Sequence, residues 1–515
     1  MQEVREIRTA DGRSARLLRG ICRAGLVVLL LTAPATLWWP SVPGWAAFTA
    51  ALMTIWGAWI CWRILAGQRT IPTHPIHLAL AIVAAGAVAH LVAYSRMRTN
   101  WPGQIGGEFN ASLMMHMGLL ALLVLLCQDL LTKATLGATG QTLLGLSAFA
   151  GAVAALVLSR AAHGHLMAAL MGWAGVAVFV RPLVEAARLA AGTSRARVVR
   201  LAIAVVMSAV LTVLCPASLT FVAAALAVTA LMAAALLKQH RAMWLLAALV
   251  AAASAVLQAS AWQLHILPRW PVGAAQWLGR GEAALADYDT RQSGLSLLAG
   301  VIGWAGAAAV LILLLAGLLR IIWPWRSLSA SRHGEALLMV LAALLALAAW
   351  LAPAGLFCPA VNVMLAVVWA ALPGAFGRPA AMRSGWWLLG CMLLVALTHG
   401  LSSHRGLMMW MLFVFGHGDL TAHTLVGLFL TLLLLWLLDG RRWGPWVALA
   451  AGLAAGPGGE LAQQLFSSHR AESPDVLAHM LGAAVALVAY ALCRLARWAQ
   501  GPRWASGAGE EVPGR

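Results

Sequence analysis

Charged residues are scarce in this sequence. Lys, Arg, Asp and Glu together make up 10% of the 515 residues, whereas hydrophobic residues make up 62%. A water-soluble chain of this length needs much more polar surface to cover itself, so the composition excludes an ordinary soluble protein. The shortage of charge indicates that lipid surrounds most of the chain, and a chain in lipid satisfies its backbone by forming helices.

Cysteine is also sparse and follows no pattern. The seven cysteines all lie in or at the edge of apolar runs, at Cys22, Cys61, Cys127, Cys215, Cys358, Cys391 and Cys493. Their spacing matches neither a disulfide framework nor a metal-binding motif. The sequence alone therefore predicts no metal and no other cofactor.

Apolar runs, by contrast, recur along the whole chain. Each is about 17 to 23 residues long, which is enough for a helix to cross roughly 30 Å of hydrocarbon. We predict spans near residues 22–41, 44–62, 75–94, 111–128, 141–159, 164–180, 199–216, 218–237, 243–262, 294–316, 335–352, 355–374, 384–401, 421–438, 444–458 and 475–493. The predicted fold class is all-α, a polytopic integral membrane protein with about 16 transmembrane helices.

Acidic residues are too few to balance the basic ones, which leaves a net charge of +18. If the N-terminus is cytoplasmic, 27 of the 35 Lys and Arg residues fall on the cytoplasmic side of the predicted spans. The positive-inside rule requires this asymmetry. The basic excess therefore predicts cytoplasmic N- and C-termini, contact with membrane lipids and no nucleic-acid partner.

Polar residues gather at the outer ends of three consecutive predicted spans near the C-terminus. In chain order they are Asp419, His423, Glu460, Gln463, Arg470, Asp475 and His479. Glu460 begins the predicted outward loop from Gly459 to Asp475, the most polar stretch of the last third. Ionisable groups at this depth are expensive unless they are paired or hydrated, which favours a functional cluster.

Helical spacing groups these residues further. Asp419 and His423 are four residues apart, as are Asp475 and His479, so each pair shares one helical face and the two pairs could meet in a bundle. The simpler alternative is that Asp475 caps its helix and that Arg470 binds a lipid phosphate.

Together with Gly427 and Gly482, these residues have the order and spacing of one known family over about 110 residues. The C-terminal part resembles the VanZ-like family, in which Asn usually stands at the position of His479. The resemblance implies a four-span module, residues 381–498, followed by a disordered cytoplasmic tail, residues 499–515. It implies candidate catalytic residues at Asp419, His423, Glu460, Arg470 and Asp475, with Gln463 and His479 as candidate substrate-binding residues.

Short motifs in the first twelve predicted spans carry a second resemblance. Gly107, Phe109 and Asn110 open the fourth span, Ser159 and Arg160 end the fifth, and a long outward loop runs from Gln263 to Ser293. This part resembles the O-antigen ligase and polymerase superfamily of membrane glycosyltransferases. The resemblance implies a twelve-span module, residues 1–380, in which Arg160, Arg280 and Arg291 bind the diphosphate of a polyprenyl-diphosphate-linked glycan.

Two other interpretations stay open at this stage. The ligase-like loop reads Asp289-Thr290-Arg291 where that superfamily commonly has a histidine, and a site without a general base would bind substrate without efficient transfer. The protein would then be a non-catalytic VanZ-like factor in glycopeptide resistance or lipid binding. Cys358, Arg405 and His423 also follow the residue order of an exosortase-type transpeptidase, although only 18 residues separate Arg405 from His423.

The sequence thus predicts a multi-pass protein of the bacterial inner (plasma) membrane that acts in cell-envelope glycan metabolism. In this interpretation a diverged lipid-linked glycan ligase or polymerase is fused to a VanZ-like module.

Overall fold

The computed structural model describes most of the predicted spans and few of the connecting loops. The described residues are 12–37, 42–74, 76–77, 113–131, 138–158, 162–188, 194–214, 294–323, 328, 330–352, 355–376, 381–386, 388, 390, 418–466 and 472–499.

Twelve long α-helices fall within these ranges, and each overlaps one predicted span. They are α1 (Arg13–Thr32), α2 (Val42–Ala66), α3 (Leu113–Leu130), α4 (Ala138–Leu158), α5 (Ala162–Arg188), α6 (Ser194–Leu214), α7 (Gly294–Ile322), α8 (Ala330–Leu351), α9 (Pro359–Ala375), α10 (Gly418–Leu437), α11 (Gly444–Phe466) and α12 (Ser473–Ala499). Short 3-10 helices follow α1 at Ala33–Leu37 and precede α9 at Gly355–Phe357. The mainly helical fold is therefore confirmed.

Five helical stretches of the described chain are long and apolar enough to cross a membrane. They are Arg13–Leu37, Ala47–Ala66, Gly140–Leu158, Ile302–Ile321 and Ser473–Ala499. Four predicted spans, at 75–94, 218–237, 243–262 and 384–401, lie wholly or largely outside the described residues. The total of sixteen spans therefore stays a prediction.

Two short strands depart from the all-α prediction. β1 (Thr70–Thr73) and β2 (Ala381–Ser384) pair into a two-stranded sheet. Both segments lie between apolar runs and are too short to show an alternating pattern, so sequence periodicity does not reveal them. The β-branched residues of β1, Thr70, Ile71 and Thr73, nevertheless suit a strand.

Helix α11 also differs from its prediction. The predicted span ends at 458 before Gly459 and Glu460, but the helix continues to Phe466. Leu, Ala and Gln follow Glu460, and these residue types favour a helix strongly enough to carry it past the glycines. Glu460 therefore lies on a helix and not in a loop, which gives its side chain a defined direction.

The chain divides into two compact units. We call Met1–Val27, Thr49–Ile71 and Met382–Arg515 the C-terminal unit, and Val28–Phe48 with Pro72–Ala381 the central unit. Parts of α1 and α2 thus belong to the same unit as α10, α11 and α12. The proposed sequence modules, 1–380 and 381–498, follow chain order, and that division stays a prediction.

Small residues and one buried ion pair hold the helices of the central unit. A Cβ atom on Gly145 of α4 would lie 2.6 Å from the carbonyl oxygen of Gly175 on α5, so only glycine allows this close approach. Arg181 of α5 donates from Nη2 to Glu335 Oε1 of α8 over 2.7 Å, and both side chains are buried.

Aromatic side chains join α2 to α10 in the C-terminal unit. The rings of Trp56 and Phe429 lie 4.9 Å apart, and those of Trp59 and Trp436 lie 5.5 Å apart in an edge-to-face arrangement. Such pairs contribute beyond simple burial because the edge of one ring faces the π-cloud of the other.

A buried carboxylate anchors the C-terminal end of α12. Asp439, which follows α10, is 2% exposed and accepts a hydrogen bond of 2.7 Å from the hydroxyl of Tyr490. Arg494 and Arg497 donate to the same carboxylate over 3.2 Å and 3.1 Å. With these three partners, Asp439 fixes the C-terminal end of α12, which is the end opposite to Asp475.

Candidate functional site

Three of the candidate residues converge from three different helices of the C-terminal unit. His423 lies in the second turn of α10, Glu460 lies in the last third of α11, and Asp475 lies in the first turn of α12. His423 Nε2 is 3.5 Å from Asp475 Oδ2 and 3.8 Å from Glu460 Oε1. We call these three residues the acid–histidine cluster.

Glycines set the distance between α10 and α12 at this point. A Cβ atom on Gly427 would overlap the carbonyl oxygen of His479, and one on Gly482 would overlap the carbonyl oxygen of Thr424. The two helices therefore cross with their backbones in contact, as small residues permit in membrane helix pairs. This crossing brings the N-terminal parts of both helices together and with them His423 and Asp475.

Helix α11 completes the bundle through a second pair of glycines. Gly456 packs against the His479 side chain, where an added Cβ would lie 3.1 Å from the His479 Cβ. The Gly452 carbonyl oxygen lies 3.0 Å from His479 Nε2, the position in which the Nε2–H tautomer donates a hydrogen bond. His479 thus links α12 to α11, and Glu460 follows two turns after Gly452.

Burial in the acid–histidine cluster is uneven. Glu460 is 3% exposed and Asp475 is 6% exposed, whereas the side chain of His423 is 21% exposed. The carboxylates therefore lie at the base of the cluster, and the imidazole forms its accessible edge. A reactant in water or at the membrane surface would meet His423 first.

One oxygen of the Glu460 carboxylate accepts a hydrogen bond, and the other oxygen faces the cluster. Its Oε2 accepts a hydrogen bond of 3.1 Å from the backbone N–H of Glu472. No hydrogen-bond donor among the described residues reaches its Oε1, which faces His423. A buried carboxylate oxygen without a donor costs free energy, so this atom is positioned for a ligand or a charge partner.

This arrangement permits two kinds of chemistry. An imidazole whose Nε2 faces two carboxylates is placed to take part in proton transfer. Alternatively, one ligand atom from each of the three residues lies within 4.8 Å of the others, which is a group able to hold a metal ion. The same residue types therefore suit acid–base chemistry or cation binding.

The other candidate residues are not part of the described cluster. Asp419 and Gln463 lie in α10 and α11, but their side chains are outside the described part of the structure. Arg160, Arg280, Arg291 and Arg470 lie outside the described residues altogether. His479, a candidate for substrate binding, is buried between α11 and α12 and points to Gly452.

Two residues that support the site were missed by sequence reasoning. Gly452 and Gly456 on α11 contact Thr431 and His479, and they form a Gly-x-x-x-Gly pattern. That pattern in an apolar run is a known signal for close helix packing and could have identified this face of α11.

Comparison of the chain with family models, with curated proteins and with solved structures finds no match in any of the three. The resemblances to the VanZ-like family and to the O-antigen ligase superfamily therefore stay expectations from sequence motifs.

Proposed function

We propose that the protein is a multi-pass protein of the bacterial inner membrane that acts on lipid-linked glycans of the cell envelope. In this proposal the acid–histidine cluster is the functional site of the VanZ-like module and faces the non-cytoplasmic side. One observation carries the proposal. Two buried carboxylates and a partly exposed imidazole meet from α10, α11 and α12, and Glu460 Oε1 accepts no hydrogen bond from the described residues, unlike the carboxylate of Asp439.

The membrane orientation of the proposal is supported by contacts within each unit. In the C-terminal unit, the three members of the cluster all come from span ends predicted to be outside. Asp439 accepts hydrogen bonds from Tyr490 and Arg494, and all three residues lie at or near span ends predicted to be inside. In the central unit, Arg181 and Glu335 form an ion pair and are also both predicted inside.

A non-catalytic role is the second candidate function. The outward loop that would serve glycan transfer contains Arg280 and Arg291 but no histidine before the next span. Arginines can hold a diphosphate through paired hydrogen bonds without transferring anything. In that case the protein binds lipid-linked glycans, and the VanZ-like module acts in glycopeptide resistance or lipid binding.

The decisive experiment compares the lipid-linked glycans and surface polymers of a deletion strain with those of its parent. The deletion should change at least one such species, and plasmid-borne wild-type protein should restore it. Glu460→Gln and Asp475→Asn should fail to restore it because they remove charge while almost preserving side-chain volume. Glu472→Gln is the matched control, since Glu472 is an exposed acid beside the cluster, and an exposed charge contributes little.

The same strains separate transfer from binding. If the N-terminal module transfers glycans, Arg160→Ala, Arg280→Ala and Arg291→Ala should each abolish the polymer at normal protein abundance. An unchanged glycan profile in the full deletion would refute the proposed function. Full restoration by Glu460→Gln and Asp475→Asn would refute the role of the acid–histidine cluster.

A further inference from the structure

The acid–histidine cluster brings two acids close together. Glu460 and Asp475 are both at least nine-tenths buried, and one oxygen of each lies within 4.8 Å of the other. Two ionised carboxylates so close in a poorly solvated site repel each other, and a neighbouring cation relieves that repulsion. His423 Nε2 faces both carboxylates, so one ligand atom of each residue borders the same point.

Glu460 gives an independent indication that something else belongs there. Its Oε2 is occupied by the backbone N–H of Glu472, whereas Oε1 is buried and has no hydrogen-bond donor among the described residues. This oxygen faces His423 Nε2 at 3.8 Å, too far for a hydrogen bond. A metal ion would use the lone pair that no donor satisfies, and the Glu472 bond would orient the carboxylate from behind, as outer-shell bonds do at metal sites.

We propose that His423, Glu460 and Asp475 bind a divalent cation of the zinc type. The distances exclude a magnesium-sized site. Ligands about 2.0–2.1 Å from a tetrahedral zinc ion lie about 3.4 Å apart, neighbouring ligands of octahedral magnesium lie about 3.0 Å apart, and those of calcium lie about 3.3–3.7 Å apart. The observed separations from His423 Nε2, 3.5 Å and 3.8 Å, fit zinc or calcium, and the type of donor atom distinguishes these two ions.

The donor atoms favour zinc. Magnesium and calcium sites are built from oxygen ligands, whereas an imidazole nitrogen suits zinc and its transition-metal neighbours. Three protein ligands leave one tetrahedral position open, which is the arrangement of catalytic rather than structural zinc. The side chain of His423 is 21% exposed, so a fourth ligand could enter from this edge of the cluster.

The inference identifies the substrate chemistry of the site and in that respect rests on the proposed function. Two carboxylates repel a phosphate or diphosphate, so a lipid-linked diphosphate could approach them only after their charge is neutralised. A bound cation supplies that neutralisation and can polarise a phosphate oxygen. Glu460, Asp475 and His423 would hold the ion, and His479 would position α12 by its bond to Gly452.

The test uses the full-length protein, purified in detergent, stripped with a chelator and titrated with Zn²⁺. We expect one bound ion per chain. Glu460→Gln, Asp475→Asn and His423→Gln should each weaken the affinity by at least about 100-fold, because loss of an outer-shell partner alone costs about 10- to 100-fold. Glu472→Gln keeps the backbone N–H and all three ligands, so its affinity should equal that of the wild type.

Thermal unfolding in the same detergent gives a second measurement and shows whether each variant is folded. Zn²⁺ should raise the melting temperature of the wild type and of Glu472→Gln, because a ligand that binds only the folded state stabilises it. It should leave that of Glu460→Gln unchanged. Without metal, Glu460→Gln should melt no lower than the stripped wild type, since it removes one of two repelling charges.

Absence of stoichiometric Zn²⁺ binding would overturn the inference, as would binding that persists unchanged in Glu460→Gln and Asp475→Asn. Stoichiometric Mg²⁺ or Ca²⁺ binding without Zn²⁺ binding would also overturn it. These readings need no glycan, so a failure of the proposed function and a failure of metal binding are separable. If the purified protein binds Zn²⁺ but its deletion strain has an unchanged glycan profile, only the proposed function is refuted.

Discussion

Arg181 and Glu335 show, at the scale of single residues, how this protein tolerates charge inside an apolar bundle. Two guanidinium nitrogens of Arg181, Nε and Nη2, donate to Glu335 Oε1 over 3.2 Å and 2.7 Å. Each charge would be very costly alone, and the pair is tolerated because the two are satisfied together. The acid–histidine cluster contrasts with this pair, because Oε1 of its buried Glu460 accepts no hydrogen bond from the described residues.

Removing one member of the Arg181–Glu335 pair should therefore be much worse than removing both. We expect Glu335→Gln to lower the free energy of unfolding by about 3–5 kcal/mol because it leaves the arginine buried without its charge partner. The double variant Arg181→Met, Glu335→Leu should lose markedly less. Unfolding in mixed micelles would measure both, with the exposed Arg441→Met as control at about 0.5 kcal/mol or less. Equal losses in the single and double variants would contradict this account.

Helix α12 is the element that organises the candidate site. Gly482 brings its backbone against Thr424 of α10, and His479 ties it to Gly452 of α11. Asp439 holds its other end through Tyr490, Arg494 and Arg497. Contacts hold α12 at both ends, so we expect this helix to move as one body. A small displacement where α12 crosses α10 at Gly482 should therefore also displace Asp475, seven residues earlier on the same helix.

Glycine substitutions test this dependence. Gly482→Ala should lower the free energy of unfolding by about 1–3 kcal/mol, since the new methyl group overlaps the Thr424 carbonyl and overpacking forces the helices apart. It should also weaken Zn²⁺ binding, although no ligand is changed. Gly458→Ala is the matched control, because nothing lies within 4 Å of its added Cβ.

Gly458→Ala should raise the free energy of unfolding, whereas Gly482→Ala should lower it. Alanine should stabilise α11 by roughly 0.5–1 kcal/mol, because glycine is a poor helix former, and Zn²⁺ affinity should be unchanged. Thermal unfolding and metal titration of both variants would show this. Equal behaviour of Gly482→Ala and Gly458→Ala would mean that the crossing of α10 and α12 does not control the site.

At the scale of the whole molecule, the charge distribution predicts which side of the membrane each loop occupies. In a cysteine-free background, single cysteines at 280 and 459 should react with an impermeant thiol reagent added outside. Cysteines at 195 and 441 should react only after the membrane is permeabilised, because they lie on the side that holds 27 of the 35 basic residues in the predicted topology, and the positive-inside rule makes that side cytoplasmic. Labelling of positions 280 and 441 from the same side would exclude sixteen alternating spans.

The sequence by itself determined the features that depend on composition and order. Apolar runs of sufficient length predict helices wherever lipid is the solvent, and all twelve described α-helices overlap such runs. The same reasoning located His423, Glu460 and Asp475 at neighbouring span ends. It did not determine that α11 extends through Glu460 to Phe466, because the glycine pair resembled a helix end while the following residues favoured continuation.

Only the tertiary structure decided which side chains meet. Helical spacing paired Asp475 with His479 on one face, yet Asp475 faces His423 of α10 while His479 faces Gly452 of α11. Periodicity assigns residues to a face of one helix but does not set the rotation of that helix against its neighbours. Here the backbone contacts at Gly427, Gly452 and Gly482 set that rotation, because packing at small residues depends on the shapes of both partners.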